Sequence, residues 1–197
     1  MDIYDITIIG AGPAGMLAAF YAGMRQAKTK IIDTLPQLGG QLATLYPEKY
    51  IYDIPGYPKI KAGELVQNLE KQNTTFNQRY CLEEGVLKIE RQEDGVIEIT
   101  TNQRVHYSRA VILALGNGSF QPRKLALENA EMYEGYGIDY YVSDLMKYAG
   151  KKVAIAGGGG SAIDWALMLE PIAKEVTLIH RRPDFRAHEH SVELLKK

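Results

Sequence analysis

Two glycine-rich loops are the segments of this sequence whose residue types and spacing could do chemistry. Their patterns are Gly-x-Gly-x-x-Gly and Gly-x-Gly-x-x-Ala. In such a loop the first glycine makes a tight turn, the second lets the backbone approach a pyrophosphate, and the third position lets a helix pack closely on a strand. Both loops are therefore predicted to bind dinucleotides. The predicted contact residues of the two loops are Gly10, Gly12, Pro13, Ala14 and Gly15, and Gly157, Gly159, Ser161 and Ala162.

The residues that follow the two loops at the same distance differ in charge. Asp33 lies 23 positions after the first glycine of its loop (10 to 33), and His180 lies 23 positions after that of the other (157 to 180), followed by Arg181 and Arg182. A carboxylate accepts hydrogen bonds from free ribose hydroxyls, whereas guanidinium groups bind a 2′-phosphate. A solvated charged turn is the alternative for the arginines, but the matched offset favours a phosphate site, which Arg186 would extend. We therefore predict one FAD- or NAD-like site and one NADP-like site.

The segments around both loops alternate between strand and helix patterns. Residues 4–9 form a β-branched run before the first loop, residues 16–22 favour a helix, and residues 30–33 predict a strand that ends in the acid. The same order is repeated around the second loop by residues 152–156, 163–169 and 175–179. Two dinucleotide sites in one chain are what electron transfer from a nicotinamide to a flavin requires, whereas a simple dehydrogenase needs one.

A different pattern lies between the two copies. Short strands joined by a hairpin turn predict a β-meander, and a buried strand that ends in glycine follows it. These predicted strands are 86–91, 96–101, 105–107 and 110–116. We therefore predict an α/β, Rossmann-like fold with two dinucleotide-binding domains and an inserted β-meander, the first domain at residues 1–118 and the second at residues 119–197.

Composition excludes several classes of protein. The 197 residues carry 23 Lys and Arg against 24 Asp and Glu, a net charge of −1, with 46% hydrophobic residues. This balance argues against a disordered or nucleic-acid-binding protein. Cys81 is the one cysteine, so no internal disulfide or thiolate zinc cluster can form. No apolar run approaches the length of a membrane span, and the acidic N-terminus is unlike a signal peptide, so we expect a cytoplasmic protein.

Two further groups of residues have competing interpretations. Gly40 would let the backbone approach a ring, Gln41 could bond the edge of a heterocycle, and a nearby tyrosine could stack on it, although a tyrosine-rich loop packed on its own domain is the alternative. His188 and His190 could suggest a metal, but residues two positions apart do not share a helix face, so no metal site is expected.

Four strings of residues together resemble one family. They are the first glycine loop, Leu-Pro-Gln-Leu-Gly-Gly-Gln at 35–41, Leu-Tyr-Pro-Glu-Lys-Tyr at 45–50, and His-Arg-Arg at 180–182 continuing through Phe-Arg-Ala-His-Glu-His at 185–190. Along essentially its whole length the chain resembles the thioredoxin-reductase-like ferredoxin–NADP⁺ reductases. The resemblance implies a homodimeric flavoprotein that binds FAD and NADP(H) and exchanges electrons with ferredoxin or flavodoxin.

The resemblance also implies roles for individual residues. It places Asp33 at the FAD ribose, Tyr46 against the isoalloxazine and Val86 on the adenine side. The other residues that it assigns are Gln41 and Phe120 to FAD, and Arg181, Arg182 and Arg186 to the 2′-phosphate. The disulfide-reducing relatives carry Cys-x-x-Cys at the stretch that corresponds to residues 140–144, and this chain has none there.

The function predicted from these observations is electron transfer between NADPH and a carrier protein through FAD, with no side chain assigned as an acid or base. A flavin monooxygenase is an alternative, although further signature residues expected between its two loops are missing. The chain departs from the family in length, because members continue beyond residue 197 to complete the NADP domain and return to the flavin domain. A catalytically inactive fragment that binds FAD or a nucleotide is therefore the third hypothesis.

Overall fold

The computed structural model describes residues 2–118 and 124–196, which form two compact units, Met1–Tyr141 and Val142–Lys197. The predicted boundary after residue 118 assigns residues 119–141 to the second domain, whereas the contacts of the chain divide it after Tyr141. The assignment of one cofactor to each domain stays a prediction. Among the described residues, no helix combines the length and apolar character needed to cross a membrane.

The first unit is built on a mixed six-stranded sheet with helices packed against it. Its elements in chain order are β1 (Ile3–Ile9), α1 (Pro13–Met24), β2 (Thr29–Ile32), α2 (Gln41–Thr44), β3 (Tyr50–Ile51), β4 (Ile60–Lys61), α3 (Ala62–Asn73), β5 (Arg79–Cys81), β6 (Val86–Arg91), β7 (Ile97–Thr101) and β8 (Val105–Leu113), followed by a 3₁₀ turn, Ala130–Tyr133. The strand order is β5-β2-β1-β8-β7-β6, and β3 and β4 form a separate antiparallel pair. The predicted α/β fold with its inserted meander, β6 to β8, is confirmed.

One strand differs from its prediction. Residues 105–107 and 110–116 were expected as two strands, but β8 runs continuously from Val105 to Leu113. Its first half pairs antiparallel with β7, and the strand pairs parallel with β1 from Tyr107 onwards. Ser108, at the junction, is fully buried and its hydroxyl donates to the carbonyl oxygen of Ala110. Ser108 therefore lies within the strand, because its hydroxyl finds a partner inside the sheet, and Arg109 beside it is exposed.

Apolar residues from the central strands and α1 form the core of the first unit. One buried cluster joins Ile8 on β1, Ile31 on β2 and Ala19 on α1. α3 packs on α1, where the buried side-chain amide of Asn73 donates to the carbonyl oxygen of Met16 at 3.0 Å. These contacts hold α1 against the sheet, and with it the loop that joins β1 to α1.

The second unit repeats the strand, loop, helix and strand order on a smaller scale. It contains a 3₁₀ turn (Leu145–Tyr148), β9 (Lys152–Ala156), α4 (Gly160–Leu169), β10 (Glu175–Ile179) and α5 (Glu189–Leu195). β9 and β10 pair in parallel, and Ile163, Ala166 and Leu169 form the buried face of α4. Both strands end in register, Ala156 opposite Ile179, so the segments that follow them lie at one edge.

Candidate nucleotide-binding sites

The carboxyl ends of three parallel strands meet at one edge of the first unit. β1 ends at Ile9, which lies opposite Ile32 at the end of β2 and Leu113 at the end of β8. The chain leaves β1 towards β2 on one side, and β8 flanks it on the other. Ligands of α/β sheets bind at such an edge, where connections run to opposite sides of a strand.

A cleft of about 1020 Å³ opens at this edge, within the first unit. The predicted site residues that line it are Gly10, Gly12, Pro13, Ala14, Asp33, Gly40, Gln41, Tyr46 and Val86. Gly15 is buried in α1, and Phe120 lies outside the described residues. The cleft also contacts Leu87 and Ile89 of β6, which sequence reasoning missed because only the tertiary fold brings the meander over the glycine loop.

The glycines of the first loop have distinct structural roles. Gly10 has φ of 108°, and a β-carbon there would overlap the carbonyl oxygen of Ala114. A β-carbon on Gly15 would overlap the carbonyl oxygen of Gly10. Gly12, the residue before α1, has φ of −70° and no atom within 4 Å of the position of a β-carbon. Gly10 and Gly15 thus permit close packing, whereas Gly12 leaves open space at the helix N-terminus.

Asp33 binds the first loop as well as facing the cleft. One carboxylate oxygen accepts a hydrogen bond from the N–H of Ala11 at 2.6 Å, and the other accepts one from the N–H of Leu35 at 2.8 Å. Each carboxylate oxygen can accept a further hydrogen bond, so these contacts leave capacity for a ribose hydroxyl. Sequence reasoning assigned Asp33 to the ligand and missed this second role.

Gln41 and Tyr46 lie in the segment that follows β2 and contacts the glycine loop. The N–H of Gly39 donates to the carbonyl oxygen of Ala11 at 2.8 Å. The hydroxyl of Tyr46 donates to the amide oxygen of Gln41 at 3.4 Å, and both side chains are half-buried at the cleft. Tyr52 is exposed, so only part of this tyrosine-rich segment takes part in the site.

A buried polar network lies next to the cleft, and the sequence alone does not reveal it. The Lys30 ammonium donates to Nδ1 of His106 at 2.9 Å, and Nε2 of His106 donates to the Glu84 carboxylate at 2.6 Å. The hydroxyl of Thr101 donates to the same oxygen of Glu84 at 2.7 Å. Glu84 also lines the cleft. The ammonium can only donate, so the imidazole carries its proton on Nε2.

The pKa values of two members of the network, Lys30 and Glu84, depart from their ordinary values. Burial lowers the pKa of Lys30. Burial alone would raise the pKa of Glu84, but the hydrogen bonds from Thr101 and His106 hold this pKa below its ordinary value. An ionised Glu84 therefore balances the buried Lys30 charge through His106.

The same network contains a group of metal-ligand types. Donor atoms of Cys81, Glu84 and His106 lie within 4.8 Å of one another, and all three residues are buried. Both nitrogens of His106 are already engaged, one by Lys30 and one by Glu84. The arrangement is that of a hydrogen-bonded network, and we assign no metal to it.

The second glycine loop begins α4 at the edge where β9 and β10 end. The N–H of Gly157 donates to the carbonyl oxygen of Ile179 at 3.0 Å, and a β-carbon on Gly157 would lie 2.9 Å from that of Ala162. Gly159, the residue before α4, has an extended backbone and no side-chain cap, and Ser161 is exposed in the first turn of the helix. This loop therefore presents the N-terminus of α4 in the way that the first loop presents that of α1.

The predicted 2′-phosphate residues lie in the segment that follows β10, residues 180–186, which we call the arginine turn. Arg181, Arg182 and Arg186 are all exposed, and His180 is half-buried. The N–H of Arg186 donates to the carbonyl oxygen of Gly158 at 2.7 Å. The structure thus places the backbone of Arg186 against the second glycine loop and leaves Arg181 and Arg182 exposed in the turn, and the contact of the three arginines with a ligand stays a prediction.

Comparison with known proteins identifies relatives over the whole chain. The family model of pyridine nucleotide-disulphide oxidoreductases matches residues 4–196. The chain is 67% identical over 196 residues to a ferredoxin–NADP reductase of Enterococcus faecalis and 64% identical over 193 residues to ferredoxin–NADP reductase 2 of Bacillus subtilis. These alignments cover 100% and 98% of the chain, which spans 58% of the length of each relative.

Solved structures show the same fold. The thioredoxin reductase of Lactococcus lactis matches with a TM-score of 0.83 and 30% identity over 98% of this chain and 61% of that one. The thioredoxin reductase of T. acidophilum matches with a TM-score of 0.83 and 25% identity over 100% of this chain and 62% of that one.

Proposed function

Because the chain belongs to the family of pyridine nucleotide-disulphide oxidoreductases, we propose that it is the nucleotide-binding part of a reductase that moves electrons between NADPH and ferredoxin or flavodoxin through FAD. The observation that carries this proposal is the pair of glycine loops at parallel strand ends, one followed by Asp33 and the other by the arginine turn. The relatives named ferredoxin–NADP reductase support the choice of carrier.

The cleft of the first unit fits FAD. Gly12 leaves open space where α1 begins, and the first N–H groups of a helix have no partner within it, so a pyrophosphate can bind there. Asp33 would accept hydrogen bonds from the ribose, Val86 would lie on the adenine side, and Gln41 and Tyr46 would lie at the isoalloxazine end. A bound FAD would accept hydride from NADPH and release single electrons to the carrier.

The second unit would bind NADP(H). The N-terminus of α4 attracts the pyrophosphate, and the guanidinium groups of Arg181 and Arg182, with that of Arg186, bind the 2′-phosphate. The chain's own residues orient the two cofactors, and we assign no proton transfer to any of them. The proposal includes a homodimer in the cytoplasm, which the resemblance to the reductase family supports.

Disulfide reduction is not part of this proposal. The chain has one cysteine, Cys81, and it is buried on β5 of the first unit. Reduction of a disulfide through a Cys-x-x-Cys pair requires two thiols, which this chain does not contain. The chain therefore shares the fold of the thioredoxin reductases without their dithiol chemistry.

An anaerobic titration of the purified chain with NADPH tests the proposal. Loss of the flavin absorption band on addition of NADPH is the expected result. A flavin band that NADPH leaves unchanged would contradict electron transfer within this chain. Protein without any flavin band, even after incubation with FAD, would favour the inactive-fragment hypothesis.

The nucleotide assignment has its own test. Replacing both Arg181 and Arg182 by Ala is expected to weaken the binding of NADPH at least about tenfold while changing that of NADH less than about twofold, because only NADPH carries the 2′-phosphate. The matched control replaces two other exposed cations, Lys151 and Lys174, by Ala. They precede β9 and β10, at the edge of this strand pair opposite to the glycine loop. Equal losses for NADPH and NADH would contradict the 2′-phosphate assignment.

A further inference from the structure

Both ends of the arginine turn are held against one glycine. A β-carbon on Gly158 would overlap three atoms of the His180 ring, so the imidazole lies directly on the glycine backbone. At the other end of the turn, the N–H of Arg186 donates to the carbonyl oxygen of Gly158, and Arg186 forms a β-bridge with Gly159. Gly158 thus connects the loop that faces a pyrophosphate to the turn that carries the arginines.

The His180 ring also fills the inside of the turn. It stacks on Phe185 with 5.6 Å between ring centroids and 23° between planes. Its Nε2–H donates to the carbonyl oxygen of Asp184 at 3.2 Å. The imidazole is therefore held by Gly158 on one side and by the end of the turn on the other, while Arg181 and Arg182 are exposed.

We infer that His180 is a positioning residue that sets the preference of this site for nucleotides with a 2′-phosphate, by holding the arginine turn at a fixed place relative to the second glycine loop. The inference rests on the proposed NADP(H) site. A dinucleotide must place its pyrophosphate at the loop and its 2′-phosphate at the turn simultaneously. The protein contacts that fix the turn to the loop therefore hold both phosphate-binding groups in place before the ligand binds. A nucleotide without a 2′-phosphate binds only the loop, so it does not depend on the position of the turn.

The arrangement also explains why residue 158 is glycine. Its φ does not lie in the left-handed region, so a larger residue is excluded by the His180 ring and not by backbone strain. Gly160, two residues later, has no atom within 4 Å of the position of a β-carbon. Gly158→Ala and Gly160→Ala therefore add the same methyl group to one loop, but only Gly158→Ala creates a clash with the imidazole.

The test measures the affinities of the 197-residue chain for adenosine 2′,5′-bisphosphate and adenosine 5′-monophosphate by calorimetry. The wild-type chain is expected to prefer the bisphosphate at least about tenfold. His180→Ala and Gly158→Ala should reduce this preference about tenfold, which corresponds to the loss of one charge-assisted hydrogen bond. The affinity of each variant for the monophosphate should change less than about twofold. Gly160→Ala, which adds a methyl group without a clash against the imidazole, should retain the preference for the bisphosphate.

The outcomes separate the inference from the function on which it rests. A wild-type chain that binds both nucleotides equally would refute the NADP assignment itself. A preference that survives His180→Ala would overturn the positioning role alone. Equal losses for the two nucleotides in His180→Ala would also overturn it, because they would show that the ring supports the fold and does not direct the arginines.

Discussion

Replacement of Asp33 by Asn tests whether this carboxylate holds the first glycine loop in place. In the structure its two oxygens accept hydrogen bonds from the N–H groups of Ala11 and Leu35. Asn has one acceptor oxygen and one NH₂ group, so one of the two backbone donors must face another donor. The change keeps the size of the side chain and removes one charge-assisted hydrogen bond.

The expected loss of stability follows from this count. A hydrogen bond to a charged group contributes about 1.5–3 kcal/mol to stability. Because Asp33 is only half-buried, we expect Asp33→Asn to lower the free energy of unfolding by about 2 kcal/mol. With a urea dependence of about 2 kcal/mol per M, the unfolding midpoint of the first unit should fall by about 1 M. The matched control is Asp94→Asn, because Asp94 accepts a single hydrogen bond, from the N–H of Val96, in an exposed turn. Asn retains that acceptor, so the control should change stability by less than about 0.5 kcal/mol.

Far-UV circular dichroism would follow both units, and the fluorescence of Trp165, the one tryptophan of the chain, would report on the second unit alone. We expect Asp33→Asn to lower the urea midpoint at which circular dichroism reports unfolding of the first unit, and to leave the midpoint of the Trp165 fluorescence transition unchanged. Hydrogen exchange should show faster exchange at the amide of Ala11 or Leu35. Equal midpoints for Asp33→Asn and Asp94→Asn, with both amides still protected, would refute the loop-holding role.

Three further substitutions test the site. Gly15→Ala should lower the free energy of unfolding by about 1–3 kcal/mol, because its β-carbon would overlap the backbone of Gly10. Gly12→Ala should change the free energy of unfolding by less than about 1 kcal/mol and weaken FAD binding at least about tenfold, because its β-carbon would occupy the space where the pyrophosphate approaches. Thermal unfolding measures the first effect and flavin titration the second, and equal stability of the two variants would contradict the packing argument. Because the folded-state pKa of Glu84 lies below its ordinary value of 4.5, its contribution to stability is present above that pH and is lost as the pH falls through the folded-state pKa. Glu84→Gln should flatten this part of the dependence of the melting temperature on pH, and an unchanged profile would show that Glu84 does not contribute to it.

Much of the fold was accessible from local patterns. The strand before each loop, the helix after it and the strand that follows were all predicted, because β-branched runs, helix-forming runs and glycine turns depend on neighbours in the sequence. Helix α3 and the edge strand β5 were not predicted, since neither carries a motif. Strands were predicted on both sides of Ser108, but the continuity of β8 through this residue was missed, because only the neighbours of β8 in the sheet supply the partners that bury Ser108.

The sequence by itself determined the family resemblance, the two glycine loops, and the contrast between Asp33 and the arginine turn, because spacing and residue type carry that information. Only the tertiary structure decided how these residues are held. Asp33 and Ala11 are 22 positions apart, and Lys30 and His106 are 76 apart, yet both pairs are hydrogen-bonded. The contact of His180 with Gly158 likewise spans the whole of α4. Such partners meet only when strands pair in register, and no local pattern records which residues the register brings together.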